Sequence, residues 1–389
     1  MDNFTFYSPT YFVFGKNTED QTGACVKRFG GHKVLIHYGG GSVVRSGLLD
    51  RVKKSLEKEN IPYVELGGVK ANPRSGMVYK GIELARKEKV DFILPVGGGS
   101  VIDSAKAIAF GVLYDGDFWD FYDEARPVTE ALPVGVVLTL AATGSEGSTD
   151  AVITKEEGMY KRCVDGDILR PLFAIMNPQL TTTLPPYQTA SGISDIMAHC
   201  MERYFTHSKE VETTDRLLEA VMLTMVKEAK RVMAEPDNYE ARANIMWCGT
   251  IAHNNMTGVG RIQDWGTHHM ENELSSTYGC SHGAGLAILF PSWMKYVMNL
   301  DINRFAQFAV RVWGCQMNFE DPSVTAREGI EAYQNFIHML ELPTSISEIG
   351  GKEDDIPALA QSMFHNAPNH GNFLKLTEDI AKEIYRMAL

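Results

Sequence analysis

Short apolar runs that end in glycine alternate with helical patterns through the first half of the chain. "KVLIHY" (33–38) ends at "GGGS" and "VDFILPV" (90–96) ends at a second "GGGS"; "VGVVLTL" (134–140) and "LFAIMN" (172–177) follow. Runs rich in Val and Ile, separated by amphipathic stretches at 42–58 and 75–89, predict βα units on a parallel sheet. In such sheets ligands bind beyond the carboxyl ends of the strands, where both GGGS loops fall. After "LTTTLPP" (180–186) the strand signals stop. Helical periodicity then predicts helices at 188–206, 213–234, 239–255, 262–277, 282–298, 302–313 and 322–340. A chain of 389 residues exceeds the usual size of one core, so the pattern predicts an α/β domain over 1–185 and an all-α domain over 186–389.

Composition narrows the function classes. A hydrophobic share of 44% with 22% charged residues is that of an ordinary globular protein, and a net charge of -12 argues against a nucleic-acid partner. The most apolar stretch, 131–144, is too short for a membrane span and contains Pro133, so no membrane partner is expected. The N-terminal "MDNFTFYSPTYFVFG" lacks a basic segment followed by an apolar run. The six cysteines form no C-x-x-C pair and read as reduced thiols, which makes a cytoplasmic location the expectation.

The second glycine loop, "VGGGSVIDSAKAIA" (96–109), joins a strand to a helix start through Gly97, Gly98, Gly99 and Ser100, with Asp103 one turn further on. Glycines let backbone N–H groups approach a phosphate, and a helix N-terminus attracts its charge. Ile102 stands where G-x-G-x-x-G needs glycine, and no Gly-Lys-Ser/Thr follows, so neither standard nucleotide motif is present. One such loop reads equally well as a plain tight turn; two at successive strand ends favour a nucleotide. The first loop offers Gly39, Gly40, Gly41 and Ser42, with Arg45 nearby and no carboxylate before Asp50. That set suits the 2′-phosphate of NADP(H) better than the ribose hydroxyl of NAD, which an acidic residue commonly holds.

Three of the 11 histidines, His268, His269 and His282, crowd into "QDWGTHHMENELSSTYGCSHGAG" (263–285). Earlier, "GISDIMAHCMERY" (192–204) places Asp195 and His199 four residues apart on one helix face. Asp-x-x-x-His alone also describes a solvated face or a simple helix pair. With His268 and His282 added, three imidazoles and one carboxylate suit Fe(II) or Zn(II). His269 lies about 100° around the helix from His268 and reads as packing or surface.

These residues carry a resemblance. "FVFG" near the start, "NPR" (72–74), "GGGSVIDSAKAIA", "GDFWDFY" (116–122), "LTTTLPP", the Asp195/His199 helix and "DWGTH" through "SHGAGLAILFP" are similar, nearly end to end, to the iron-containing (group III) alcohol dehydrogenase family, in particular its NADPH-dependent butanol dehydrogenase branch. The resemblance implies a Rossmann-like N-terminal domain, an all-α C-terminal domain in a dehydroquinate synthase-like arrangement, and a cleft between them. It implies metal ligands at Asp195, His199, His268 and His282. Nucleotide contacts are implied from the glycine loops with Asp103, and from Asn72, Thr139, Thr143 and Lys161. The implied activity is NADP(H)-dependent oxidation of small primary alcohols and reduction of aldehydes by a homodimer. Two departures stand out. The family usually has a histidine four residues after the first of the cluster, facing nicotinamide and substrate, where this chain has Asn272; and the strand-end Asp is Asn177 here. Asn272 is then the group facing substrate, unable to titrate, while Asn177 reads as structural. Two other classes share a nucleotide and a metal: a lyase or cyclase related to dehydroquinate synthase, against which the scarcity of lysines near the ligands counts, and a non-catalytic binding relative.

Overall fold

The computed structural model describes residues 1–123, 126–365 and 368–389. They form two compact units, Tyr7–Leu184 and Pro185–Leu389, the second including Met1–Phe6. The first six residues thus pack with the helices and not with the α/β domain expected to contain them. The Met1 ammonium donates to the Lys209 carbonyl, and the Asp2 amide donates to the Gly260 carbonyl.

In the first unit six parallel strands, β1 (Tyr11–Phe14), β2 (Val34–Gly39), β3 (Tyr63–Val69), β4 (Phe92–Gly97), β5 (Gly135–Leu138) and β8 (Phe173–Met176), lie in the order β1-β8-β5-β4-β2-β3. A separate antiparallel hairpin joins β6 (Asp150–Thr154) to β7 (Lys161–Asp165). The helices are α1 (Thr22–Arg28), α2 (Ser42–Arg45), α3 (Leu48–Lys58), α4 (Ser75–Glu88), α5 (Gly99–Leu113) and α6 (Asp120–Asp123). Strand β4 is buried along its whole length, which is why its sequence is a continuous apolar run. Val34 and Ile36 of β2 pack with Val26 of α1 and Val52 and Leu56 of α3. The intervening His37 points to the opposite face and meets Ser104 of α5.

Strand order positions the loops. The chain leaves β2 toward β3 on one side and leaves β4 toward β5 on the other. The two connections diverge between adjacent strands, which makes the β2/β4 boundary the topological switch point where ligands of such sheets bind. The two GGGS loops flank it.

The second unit contains α7 (Pro186–Tyr204), α8 (Glu212–Ala234), α9 (Tyr239–His253), α10 (Gly266–Tyr278), α11 (His282–Val297), α12 (Ile302–Trp313), α13 (Pro322–Met339), α14 (Ile356–Met363) and α15 (Glu378–Met387). Its core holds Tyr204, Phe205, Phe290, Trp293 and Phe305. Helix α11 crosses α7 at backbone contact: a Cβ on Gly283 would fall 1.9 Å from the Ser191 carbonyl oxygen and 3.2 Å from the Asp195 nitrogen. Only glycine allows this approach, which sets His282 beside Asp195. Among the described residues, no helix is long and apolar enough to cross a membrane.

Several expected elements shift for local reasons. The helix expected at 42–58 is two helices, because Gly47 takes φ +70° between them. The helix expected from 262 begins at Gly266. Residues before it are drawn into other bonds: Asp264 donates its amide to the Glu202 carbonyl, Thr206 Oγ1 donates to the Ile262 carbonyl, and Trp265 sits at φ +66°. Strands β1, β3, β6 and β7 and helices α1, α6, α14 and α15 are not among the elements the sequence predicts.

Candidate active site

Helix α7 carries Asp195, His199 and Glu202 on one face, since they are four and three residues apart in sequence. Around Asp195 Oδ1 lie three imidazole nitrogens: His199 Nε2 at 3.7 Å, His282 Nε2 at 3.8 Å and His268 Nε2 at 3.9 Å. The donor atoms of Asp195, His268 and His282 lie within 4.8 Å of one another. Bonds of about 2.0–2.2 Å from a tetrahedral metal place its ligand atoms roughly 3.3–3.6 Å apart, close to these separations. His268 Nε2 is buried and has no hydrogen-bond partner among the described residues, which protein interiors rarely tolerate. Burial holds the His199 and His268 rings well below the ordinary imidazole range, and neighbouring histidines add to the effect. Neutral imidazole is the form a metal takes. One carboxylate and three neutral imidazoles therefore fit Fe(II) or Zn(II).

Carboxylates orient two of the rings. Glu202 Oε1 accepts from both the backbone nitrogen and Nδ1 of His268, at 2.9 and 2.8 Å, while Oε2 accepts from the Trp265 amide at 2.7 Å. Burial, then the neighbouring Asp264, pushes the Glu202 carboxyl well up, and the His268 and Trp265 amides pull against that. His282 Nδ1 bonds to Glu271 Oε2. The His253 ring lies 4.1 Å from that of His199. Glu202, Glu271 and His253 all escaped the sequence reading. A Glu in a helix reads as solvent-exposed, and the available i,i+3 spacing suggests the wrong partners: Glu202 is three from His199 and Glu271 three from His268, yet each serves a histidine on another helix.

His269 sits edge-on to His370, with ring centroids 4.8 Å apart, and does not join the donor cluster. Asn272 is half-buried one turn beyond His268, and its side-chain amide makes no hydrogen bond among the described residues. Asn177 is structural: its Nδ2 donates to Glu19 Oε2, and its Oδ1 accepts the Gln179 amide at the start of a 3₁₀ turn.

In the sheet unit, the glycine loops assemble at the strand ends. A Cβ on Gly97 would meet Val101 at 2.5 Å, on Gly98 Leu140 at 3.0 Å, and on Gly99 Thr143 Oγ1 at 2.4 Å. The Thr139 amide donates to the Gly97 carbonyl, so Thr139 and Thr143 join Gly97–Ser100 at the ends of β4 and β5. Gly39 lies beside Val101 of the second loop, whereas a Cβ on Gly40 would meet nothing within 4 Å. Gly41 takes φ +108° at the N-cap of α2, near the exposed Arg45 guanidinium. Asn72, at φ +51°, leads into Pro73, whose carbonyl accepts the Thr154 amide, and Thr154 pairs with Lys161 in the hairpin. Asn72 and Lys161 therefore share a neighbourhood. Asp103 works inside the protein: Ser145 Oγ donates to its Oδ1 and the Val152 amide to its Oδ2. Lys106 Nζ donates to the Ser148 and Asp150 carbonyls, and the two residues together fasten the hairpin to α5.

The model of the family "Iron-containing alcohol dehydrogenase" matches residues 9–178, and that of the "Fe-containing alcohol dehydrogenase family, C-terminal" matches 189–389. The chain is 41% identical to NADH-dependent butanol dehydrogenase A of Clostridium acetobutylicum over 94% of each chain. It is 36% identical to the NADPH-dependent aldehyde reductase YqhD of Escherichia coli over 100% of each. A crystal structure of NADH-dependent butanol dehydrogenase A from Thermotoga maritima superposes with a TM-score of 0.97 at 39% identity, covering 100% of this chain and 99% of that one. The cofactor in these names is mixed, NADH for the butanol dehydrogenases and NADPH for the reductase. On matches that span both of its compact units, the chain belongs to the iron-containing alcohol dehydrogenase family.

Proposed function

We propose that this protein is a metal-dependent NADP(H) alcohol dehydrogenase and aldehyde reductase for small primary alcohols and aldehydes. The observation that carries the reading is the convergence of three imidazole Nε2 atoms on Asp195 Oδ1 at 3.7–3.9 Å. Asp195, His199, His268 and His282 would hold Fe(II) or Zn(II), which would supply Lewis acidity to the alcohol or carbonyl oxygen, while the nicotinamide gives a hydride to the aldehyde in one direction and takes it from the alcohol in the other. Gly39–Ser42 and Gly97–Ser100, with Asn72, Thr139, Thr143 and Lys161, cradle the nucleotide. Preference for NADP(H) is supported by Arg45, which is exposed and in no ion pair among the described residues, beside a strand end without a carboxylate. Asp103 serves the nucleotide at one remove, through the hairpin it fastens. Asn272 orients the substrate oxygen or a water and neither gives nor takes a proton. Six thiols without a disulfide suit the cytoplasm.

The test is a panel of aldehydes assayed with NADPH and NADH after anaerobic loading with Fe(II) or Zn(II). Metal-dependent NADPH oxidation with short aldehydes is the expected result. No turnover of any aldehyde with either nucleotide would overturn the reading, and equal kcat/KM for the two would overturn the NADP(H) preference alone.

A further inference from the structure

We propose that Glu202 and Glu271 are positioning residues that hold His268 and His282 in the Nδ1–H tautomer, so that each presents an Nε2 lone pair to the metal. The inference rests on the metal reading above. In both histidines Nδ1 faces a carboxylate oxygen while Nε2 faces Asp195 Oδ1. Both Glu202 oxygens already accept backbone amides, from His268 on Oε1 and Trp265 on Oε2, which is the arrangement of an accepting carboxylate despite its burial. A carboxylate only accepts, so the proton sits on Nδ1 and the lone pair on Nε2. Such partners fix ring orientation and raise ligand basicity.

Relay between helices is the notable feature. Glu202 on α7 serves His268 on α10, and Glu271 on α10 serves His282 on α11. Glu202 also accepts the backbone amides of Trp265 and His268 at the entry to α10. One side chain thus sets both where the helix starts and how its ligand ring turns. Room for Glu271 is made by Gly285, where a Cβ would fall 2.6 Å from Glu271 Oε1. His199 lacks this arrangement: its Nδ1 is buried without a hydrogen-bond partner among the described residues, and its ring lies against His253. Two of the three imidazoles are therefore pre-set and one is not.

Glutamine discriminates, because its NH₂ can stand opposite Nδ1 and force the proton to Nε2. Two measurements on the full chain test this. The first is Zn(II) affinity by competition titration of chelator-treated parent, Glu202→Gln and Glu271→Gln. The second is the histidine tautomer in the metal-free proteins, read from long-range ¹H–¹⁵N spectra of ¹⁵N-histidine-labelled chain. Each substitution should weaken Zn(II) binding about 10–100-fold and move one imidazole from the Nδ1–H toward the Nε2–H pattern. Glu271→Gln leaves the Glu202 bonds at the α10 entry in place, so it decides the matter should Glu202→Gln fail to fold. Either signature without the other overturns the proposal: weaker binding with unchanged tautomers marks a merely structural role, and changed tautomers with parent-like affinity mark a bystander. A parent that binds no Zn(II) would defeat the metal reading itself, and parent imidazoles already in the Nε2–H form would defeat this inference independently.

Discussion

His37 in the sheet unit and His268 in the helical unit are both buried imidazoles, and they are satisfied differently. His37 bonds through Nδ1 to the Leu66 carbonyl and through Nε2 to Ser104 Oγ, each at 2.9 Å. His268 bonds through Nδ1 to Glu202, while its Nε2 has no hydrogen-bond partner among the described residues and faces Asp195. A ring with both nitrogens closed ties a strand to a helix. A ring with one nitrogen left open toward a carboxylate is free to take a metal, the role proposed for His268. The contrast extends to the units themselves. The sheet unit shapes its proposed nucleotide site with backbone, by glycines where a Cβ would collide, and the helical unit shapes its proposed metal site with buried polar side chains.

The sharpest way to break this comparison is to delete a ligand. His282→Ala should lose most of its bound metal and at least about 10³-fold in kcat/KM, since Lewis-acid stabilisation amounts to several kcal/mol and each ~1.4 kcal/mol is tenfold. His269→Ala, removing a ring from outside the donor cluster, should keep both. Metal analysis of the purified variants decides it; full metal retention in His282→Ala would remove His282 from the site.

His37 tests the other side. Burial lowers its pKa from 6.5 to about 4. The unfolded chain then takes up the proton before the folded one does. The stability this residue confers is fully present above pH 6.5 and is lost as pH falls toward 4, amounting to roughly 3 kcal/mol. Chemical denaturation of the parent and His37→Gln at a series of pH values should show a shallower acid slope in the variant. Equal slopes would mean that His37 is not held neutral by its surroundings.

Asn272→His comes next in size. It places an imidazole one turn beyond His268, and a general acid–base contributes about 10²–10⁴-fold where it acts. The variant should keep its metal, gain an ionisation near neutral pH in its rate profile, and turn over aldehydes up to ~10²-fold faster. An unchanged pH profile and unchanged aldehyde preference would mean that position 272 does not face the substrate.

How much of this the sequence disclosed follows the same division. Strands β2 and β4 were readable because burial on both faces leaves an unbroken apolar run. Strand β3, "YVELGGV", was not: Glu65, Gly67 and Gly68 break the alternation, since an edge strand packs less of itself. The hairpin β6/β7 carries Asp150, Lys161, Arg162 and Asp165, residues that read as loop until Asp103 and Lys106 fasten it to α5. The four residues proposed as metal donors were suggested by i,i+4 spacing and histidine crowding and named by the family resemblance. The carboxylates that bond two of these rings, Glu202 and Glu271, were not, because the pairs lie on different helices and no spacing along the chain encodes which helices touch. Gly283 and Gly285 were visible as letters, but their function lies in contacts with Ser191 and Glu271.

The smallest effect expected separates the two glycine loops. A Cβ on Gly99 would collide with Thr143, whereas one on Gly40 would meet nothing within 4 Å. Gly99→Ala should therefore weaken binding of either nucleotide about tenfold or more, overpacking typically costing ~1–3 kcal/mol, while Gly40→Ala should bind as the parent does. Gly40→Asp adds a charge without adding a collision. Two negative charges about 4 Å apart in water repel by ~1 kcal/mol, so NADPH should weaken roughly fivefold and NADH much less. Screening sharpens the reading, because the NADPH penalty should shrink as salt is raised while that of Gly99→Ala should not. Fluorescence titration of both nucleotides at low and high salt measures each quantity. A Gly40→Asp penalty equal for NADPH and NADH would mean that the first loop does not meet the 2′-phosphate, and the cofactor preference would then have to be sought away from Arg45.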